Sequence, residues 1–216
     1  FLENEKTGEL EEVEIKTPLM GQKAGLSMVF QELNLLENMN IAENIFIGRE
    51  PVKKNRFLDK ELLIDRARKE LEKVRLDVDP RTAISELSCA QMQCVEIAKA
   101  LSFHARVVVF DEPTASLSEK ESQTLFEIIK ELNSQGVCIV YISHRMEEVF
   151  ALSDRITVFR NGKYIDTVNA KDVTEKDLIK MMIGRELSGT KNCGSEFVNR
   201  ENVILEAKNI KVFPNS

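Results

Sequence analysis

The sequence predicts an α/β fold built on a parallel sheet, and three observations predict it. Residues 107–110 form an uninterrupted apolar run, Val-Val-Val-Phe, of the kind found in a buried parallel strand. Residues 137–142 form a second such run, and an amphipathic helix pattern lies between the two. A strand–helix–strand unit with that connection length places the two strands parallel in one sheet. Residues 40–103 add a long, mostly helical stretch ahead of the unit.

The elements follow in order. Residues 8–16 alternate like a strand, with Leu10, Val13 and Ile15 among glutamates. Residues 27–30 are a short apolar strand ending at Gln31. Within 40–103, Leu63, Ala67, Leu71 and Val74 recur at helical spacing. The helix between the two apolar runs starts at Ser118, whose spacing to Glu121 is a capping box. It continues through Leu125, Ile128, Ile129 and Leu132, and Gly136 ends it. The run at 137–142 is expected to be a second buried strand. Asn161-Gly162 signals a hairpin within 155–168, and residues 174–183 form a short helix. Residues 184–201 are polar with three glycines and read as a linker. Strand-like alternation restarts at Val203, Leu205 and Ala207.

Bulk properties narrow the function classes. The 216 residues suit one or two domains. The net charge of -6, with no basic stripe, argues against nucleic acid as a partner. Four cysteines without a C-x-x-C pair argue against a zinc site or a disulfide framework and fit a reducing cytosol. No apolar run approaches the length of a membrane span. The acidic start lacks a signal-peptide pattern and a Met, so the chain is expected to have been cut or to begin mid-gene.

Four motifs carry chemistry. Asp111 and Glu112 follow the first apolar strand, at the end that faces the ligand crevice of a parallel sheet. There Asp111 suits Mg²⁺ and Glu112 suits orienting and deprotonating a water; an acidic turn closed by Pro113 is the plain alternative. His144 sits at the end of the next strand, close enough to meet the carboxylates and a γ-phosphate, or it simply precedes a helix at 145–152. Leu87-Ser-Cys-Ala-Gln91 opens a helix running to Leu101. Ser88 and Gln91 form a capping box there, which is a sufficient structural explanation. The sharper reading aims that helix N-terminus at a phosphate. Gln31 is a neutral amide after a strand, able to ligate Mg²⁺ or its water and to move with the segment that follows.

In this order the four motifs resemble the ABC ATPase family: its Q-loop, signature motif, Walker B with D-loop, and switch histidine. The run Val107-Val-Val-Phe-Asp-Glu-Pro-Thr-Ala-Ser-Leu117 is very specific to it. Where most of the family has two glycines in the signature, this chain has Cys89 and Ala90. Val29-Phe-Gln-Glu-Leu-Asn-Leu-Leu36, Ala42-Glu-Asn-Ile-Phe-Ile-Gly-Arg-Glu-Pro51 and Gln91-Met-Gln-Cys-Val-Glu-Ile-Ala-Lys-Ala-Leu101 resemble the tandem ATPase subunits of bacterial ribose-, galactose- and xylose-type importers.

The resemblance implies an ABC-type P-loop NTPase core with a parallel sheet and a helical subdomain, truncated at its N-terminus. It implies a partial module over residues 1–185 with the helical subdomain at about 40–103. A linker at 186–201 and the start of a second module at 202–216 complete the division. It implies ATP and Mg²⁺, with Glu112 and His144 catalytic and Gln31 and Asp111 on the metal. Leu87, Ser88, Cys89, Ala90, Gln91 and Ser116 would approach nucleotide, the signature helix serving the site of the opposite module. The implied partners are membrane-spanning permease subunits, a second ATPase module and, indirectly, an external sugar-binding protein, at the cytoplasmic face of the membrane.

One part of the pattern is missing. None of the nine glycines opens a G-x-x-x-x-G-K-[ST] phosphate loop. In the family that loop precedes the Gln31 position, and Gly8-Glu-Leu-Glu resembles the strand after it, so truncation is the simplest explanation. A non-hydrolysing regulatory cassette and a soluble ATPase acting on DNA or ribosomes stay open as other classes.

Overall fold

The computed structural model describes residues 2–3, 10–11 and 14–184. The expected linker beyond Gly184 and the expected second module at 202–216 lie outside these residues. The chain divides into two units, residues 1–154 and 155–216.

In the first unit, β1 (Leu2–Glu3) pairs antiparallel with β2 (Leu10–Glu11). Of the expected alternation over 8–16, the described residues are β2 and 14–16, the latter without regular structure. Thr17 caps α1 (Pro18–Lys23), and the proline fills the first helical position, where an N–H is not needed. Gly25 turns the chain with φ +81° into β3 (Leu26–Val29).

The helical segment follows. Asn40 and Glu43 form a capping box that opens α2 (Ile41–Phe46). Asp59 caps α3 (Lys60–Lys73), and Leu63, Ala67, Leu71 and Val74 are buried as their spacing requires. A 3₁₀ turn (Ile84–Glu86) leads into α4 (Cys89–Leu101). These helices and the sheet share one core, in which Ile41, Ile45, Val95 and Ile97 are fully enclosed.

β4 (Val107–Asp111), α5 (Glu119–Ser134) and β5 (Cys138–Ile142) realise the expected parallel unit, in the sheet order β3–β4–β5. Val29, Phe110 and Tyr141 stand in register across it. Val108 and Phe110 are fully buried, and all four predicted apolar positions of α5 are buried. The expectation that 137–142 is a buried strand is corrected. Val140 and Ile142 are 45% and 44% exposed. Among the described residues β5 ends the sheet with one neighbour, and its Ile139 and Tyr141 face packs inward; Phe126 meets Tyr141 edge to face. α6 (Met146–Leu152) completes this unit.

The described residues of the second unit include a hairpin and a helix. β6 (Arg155–Arg160) and β7 (Lys163–Asn169) pair antiparallel. Asn161 and Gly162 turn between them with φ 52° and 73°, both positive as a two-residue hairpin turn requires. Thr174 caps α7 (Glu175–Ile183), and Arg160 Nη1 donates to the Met181 carbonyl at 3.0 Å.

Candidate functional site

The site forms where β4 and β5 end together. Asp111 pairs with Ile142 in the last rung of the ladder. The Glu112 N–H donates once more to the Ile142 carbonyl, 3.0 Å away, while its φ of 44° turns the chain out of the sheet. Pro113 is buried and the turn closes through Ala115 N–H to the Glu112 carbonyl at 3.2 Å. One strand over, His144 follows β5 by two residues. Its Nδ1 lies 2.9 Å from Glu112 Oε1, with side chains 71% and 29% exposed. A carboxylate only accepts, so the imidazole donates from Nδ1 and leaves Nε2 free for a ligand.

Asp111 is half-buried and lines a cavity of about 1360 Å³ with Gln31, Ser27, Glu96 and Lys99. Gln31 is exposed at the start of a segment tied down further along. Asn44 holds the Leu36 backbone by both its N–H (2.7 Å) and its carbonyl (3.1 Å), and Lys99 donates to the Asn34 carbonyl at 2.9 Å. These bonds tie the segment after Gln31 to α2 and α4. The donor set fits Mg²⁺: a carboxylate and an amide are hard oxygen ligands, and this ion is bound by few protein groups with water and phosphate completing the shell. Ser27, in the same wall, has a buried hydroxyl without a hydrogen-bond partner.

The remaining expected residues stand apart from this cluster. Ser88 Oγ accepts from the Gln91 N–H (3.3 Å), and Gln91 Oε1 accepts from the Ser88 N–H (2.9 Å), so the capping box is present. Leu87 packs against the core, Ala90 is half-buried, and Ser88 and Cys89 are exposed. The first turn of α4 contains no acid, which leaves its positive end open to an anion. Ser116 is exposed in the turn between β4 and α5. The five residues at 87–91 do not line the Asp111 cavity.

Sequence reasoning missed Glu148. It is 3% exposed on α6, and four groups converge on its carboxylate. Thr114 Oγ1 donates to Oε1 at 2.7 Å, and Arg145 Nη1 pairs with Oε1 at 2.6 Å. Tyr141 OH and Ser143 Oγ donate to Oε2 at 2.8 and 2.9 Å. Burial, then the bond to Glu148, pushes the Tyr141 hydroxyl well above the ordinary phenol range. The only sequence signal was a glutamate four residues after His144 in the first turn of a helix, where acids are ordinary.

The described strands thus form a parallel α/β core with an acid pair and a histidine at adjacent strand ends, the end where such sheets bind ligands. A profile of the ABC transporter family matches residues 2–115, and the chain belongs to that family. It is 44% identical over 200 residues to a putative ribose/galactose/methyl galactoside import ATP-binding protein of Agrobacterium fabrum, covering 93% of this chain and 39% of that protein. It is 50% identical over 165 residues to a protein of the same description from Halalkalibacterium halodurans, covering 76% and 32%. Against the galactose/methyl galactoside import ATP-binding protein MglA of Haemophilus influenzae it is 42% identical over 204 residues, covering 93% and 39%. The chain thus spans about two fifths of the length of these curated relatives or less. Among solved structures it resembles an ATP-binding cassette of an ABC transporter in its ADP conformation, with a TM-score of 0.65 and 28% identity over 79% of this chain and 72% of that one.

Proposed function

We propose that this chain supplies the hydrolytic strand ends and the helical segment of the ATP-binding subunit of a carbohydrate importer. The observation that carries the proposal is the contact between Glu112 and His144, 2.9 Å apart at the ends of adjacent parallel strands. In this reading Glu112 orients the attacking water and accepts its proton. His144 holds Glu112 through Nδ1 and presents Nε2 to the water and the γ-phosphate. Asp111 and Gln31 hold Mg²⁺, which supplies positive charge to the phosphates when bound. Residues 87–91 and Ser116 approach the nucleotide of an opposing ATPase module, where the open end of α4 stabilises phosphate charge. Catalysis is then mostly positioning and charge stabilisation.

The similarity to sugar-import ATP-binding proteins supports permease subunits as partners and a sugar as the cargo. None of the helices among the described residues is long and apolar enough to cross a membrane, in keeping with a subunit that docks on the cytoplasmic face. A separate binding protein and the permease would choose the sugar.

The test is hydrolysis by the full-length gene product. Glu112→Gln is expected to slow ATP turnover by roughly 10²- to 10⁴-fold, the usual worth of a general base; near-normal turnover rejects the assignment. The alternative reading is a non-hydrolysing regulatory cassette, against which the intact Glu112–His144 contact counts. Coding sequence upstream of Phe1 decides between them. An in-frame G-x-x-x-x-G-K-[ST] supports the hydrolase, and its absence supports the regulatory module.

A further inference from the structure

We propose that Glu148 is a positioning residue that sets the Glu112–His144 pair by clamping the two turns that carry it. The catalytic consequence rests on the hydrolase reading above; the positioning itself does not. Glu148 touches neither member of the pair. It holds Thr114, two residues after Glu112, and both neighbours of His144, namely Ser143 and Arg145.

The geometry leaves little slack. An ionised carboxylate has about four acceptor sites, and Thr114, Arg145, Tyr141 and Ser143 fill them two to each oxygen. Ser143 Oγ in turn accepts from the Arg145 N–H at 3.0 Å, closing a ring of bonds around position 144. The three groups from the β5 end and the one from the β4 turn thus meet on one buried anion. Such a network is worth keeping only when every member is satisfied, and every Glu148 oxygen is.

The pair itself has few other supports. The His144 side chain is 71% exposed, so packing does not fix its rotamer. Its place comes from the backbone between Ser143 and Arg145. Glu112 stands in the left-handed region at φ 44°, from which a side-chain-bearing residue relaxes unless its surroundings hold it. With Thr114 released, that turn has a lower-energy conformation to move toward. The competing explanation is that Glu148 merely anchors α6 to the sheet, which would lower stability and leave the pair's geometry alone.

The imidazole proton separates the two. The chain has two histidines, His104 and His144, and His104 is exposed away from the site. In the 216-residue chain with ¹⁵N-labelled imidazoles in mildly alkaline buffer, His144 is expected to show its proton on Nδ1, donated to Glu112. Glu148→Gln keeps the shape but turns one acceptor into a donor facing hydroxyls and a guanidinium. It is expected to abolish the Nδ1–H signature of His144 and leave the His104 signals in place. In the full-length subunit the same change is expected to lower kcat about 10- to 100-fold with the KM for ATP held within about twofold, as for a misplaced catalytic group. Where changed His104 signals show that Glu148→Gln has lost the fold, Ser143→Ala decides: it removes both Ser143 Oγ bonds beside His144, the one to Glu148 and the one from the Arg145 N–H, and a weakened signature supports the proposal. A wild-type His144 without the Nδ1–H signature, or a folded variant that retains it, overturns the proposal. Failure of the full-length subunit to hydrolyse ATP counts against the hydrolase reading, and the imidazole signature still decides the positioning role.

Discussion

Replacing Arg49 tests what fastens the helical segment together. Its guanidinium bridges two helix C-termini. Nη2 donates to the Ile45 carbonyl in the last turn of α2 at 2.8 Å. Nη1 donates to the carbonyl of Ser102, the residue that ends α4, at 3.0 Å, and Nη2 to its hydroxyl at 2.8 Å. The group also lies 3.5 Å over the Phe103 ring and 5.5 Å from that of Phe46. A cation is favourable at a helix C-terminus, and here one cation serves two. Each charged hydrogen bond is worth about 1.5–3 kcal/mol and the stacking about 0.5–2 kcal/mol. Three things bring the net down. The site is partly open, Nε is buried without a partner, and burial disfavours the charge and lowers the Arg49 pKa, with Glu70 and Glu50 opposing. Arg49→Met is therefore expected to cost about 2–4 kcal/mol. Arg49→Lys keeps the charge but loses the fork and the stack, and is expected to cost about 1–2 kcal/mol. Urea unfolding of the 216-residue chain followed by circular dichroism checks both. With a slope of about 2 kcal/mol/M, the midpoint for Arg49→Met falls by about 1–2 M and the slope stays constant. A midpoint within about 0.3 M of wild type would refute the reasoning. A double-mutant cycle with Phe103→Leu isolates the stacking share.

Two further substitutions separate structural from chemical roles. Ser88→Ala removes the α4 cap and is expected to cost about 1 kcal/mol, whereas Ser88→Gly costs only a few tenths. If Ser88 also meets phosphate in the full-length subunit, glycine restores the urea midpoint without restoring turnover, and full recovery of both leaves capping as its whole role. Glu96 is 6% exposed, with Oε1 lacking a hydrogen-bond partner. Burial raises its pKa above the ordinary 4.5, with Lys99 and the Asn34 backbone pulling the other way. A folded-state pKa above the unfolded one means that the folded chain binds the proton more tightly. The stability Glu96 contributes is thus complete below 4.5 and lost as pH rises through the folded value. Glu96→Gln is expected to flatten that fall, so its urea midpoint gains on wild type between acid and neutral pH; a wild type that gains on the variant contradicts the sign.

Those elements whose boundaries are written in local chemistry were legible from the sequence. α5 shows why: Ser118 and Glu121 close a capping box, four apolar residues follow at helical spacing, and Gly136 takes φ +91° just beyond the end. The same holds for Ser88 with Gln91 and for Asn161-Gly162. The placement of Glu112, Asp111 and His144 was legible as well, because parallel strands deliver their ends to one crevice. Burial of β5 was not, since its second face depends on what packs across it, and an apolar run is silent on that. Glu148 and Arg49 were not legible either. Each acts on groups distant in sequence, Thr114 in one case and Ser102 in the other, and no local pattern marks a charge that will be enclosed by tertiary contacts.

The backbone at Glu112 bears on why a clamp is there at all. Pro113 disfavours the right-handed helical region for the residue before it, and an extended residue would continue β4 past its partner. The left-handed conformation lets the Glu112 N–H keep the last rung to Ile142 while the chain turns away. Glycine adopts that conformation at no steric cost, while a side chain there costs about 1–3 kcal/mol in strain. Backbone economy alone would therefore select glycine. A glutamate at that position, with its carboxylate 2.9 Å from His144 and its turn tied through Thr114 to a buried anion, supports the view that the carboxylate itself is what the turn exists to present. On this argument the strain and the clamp are two halves of one arrangement. The turn holds Glu112 where a free chain would not leave it, and Glu148 supplies the restraint through Thr114.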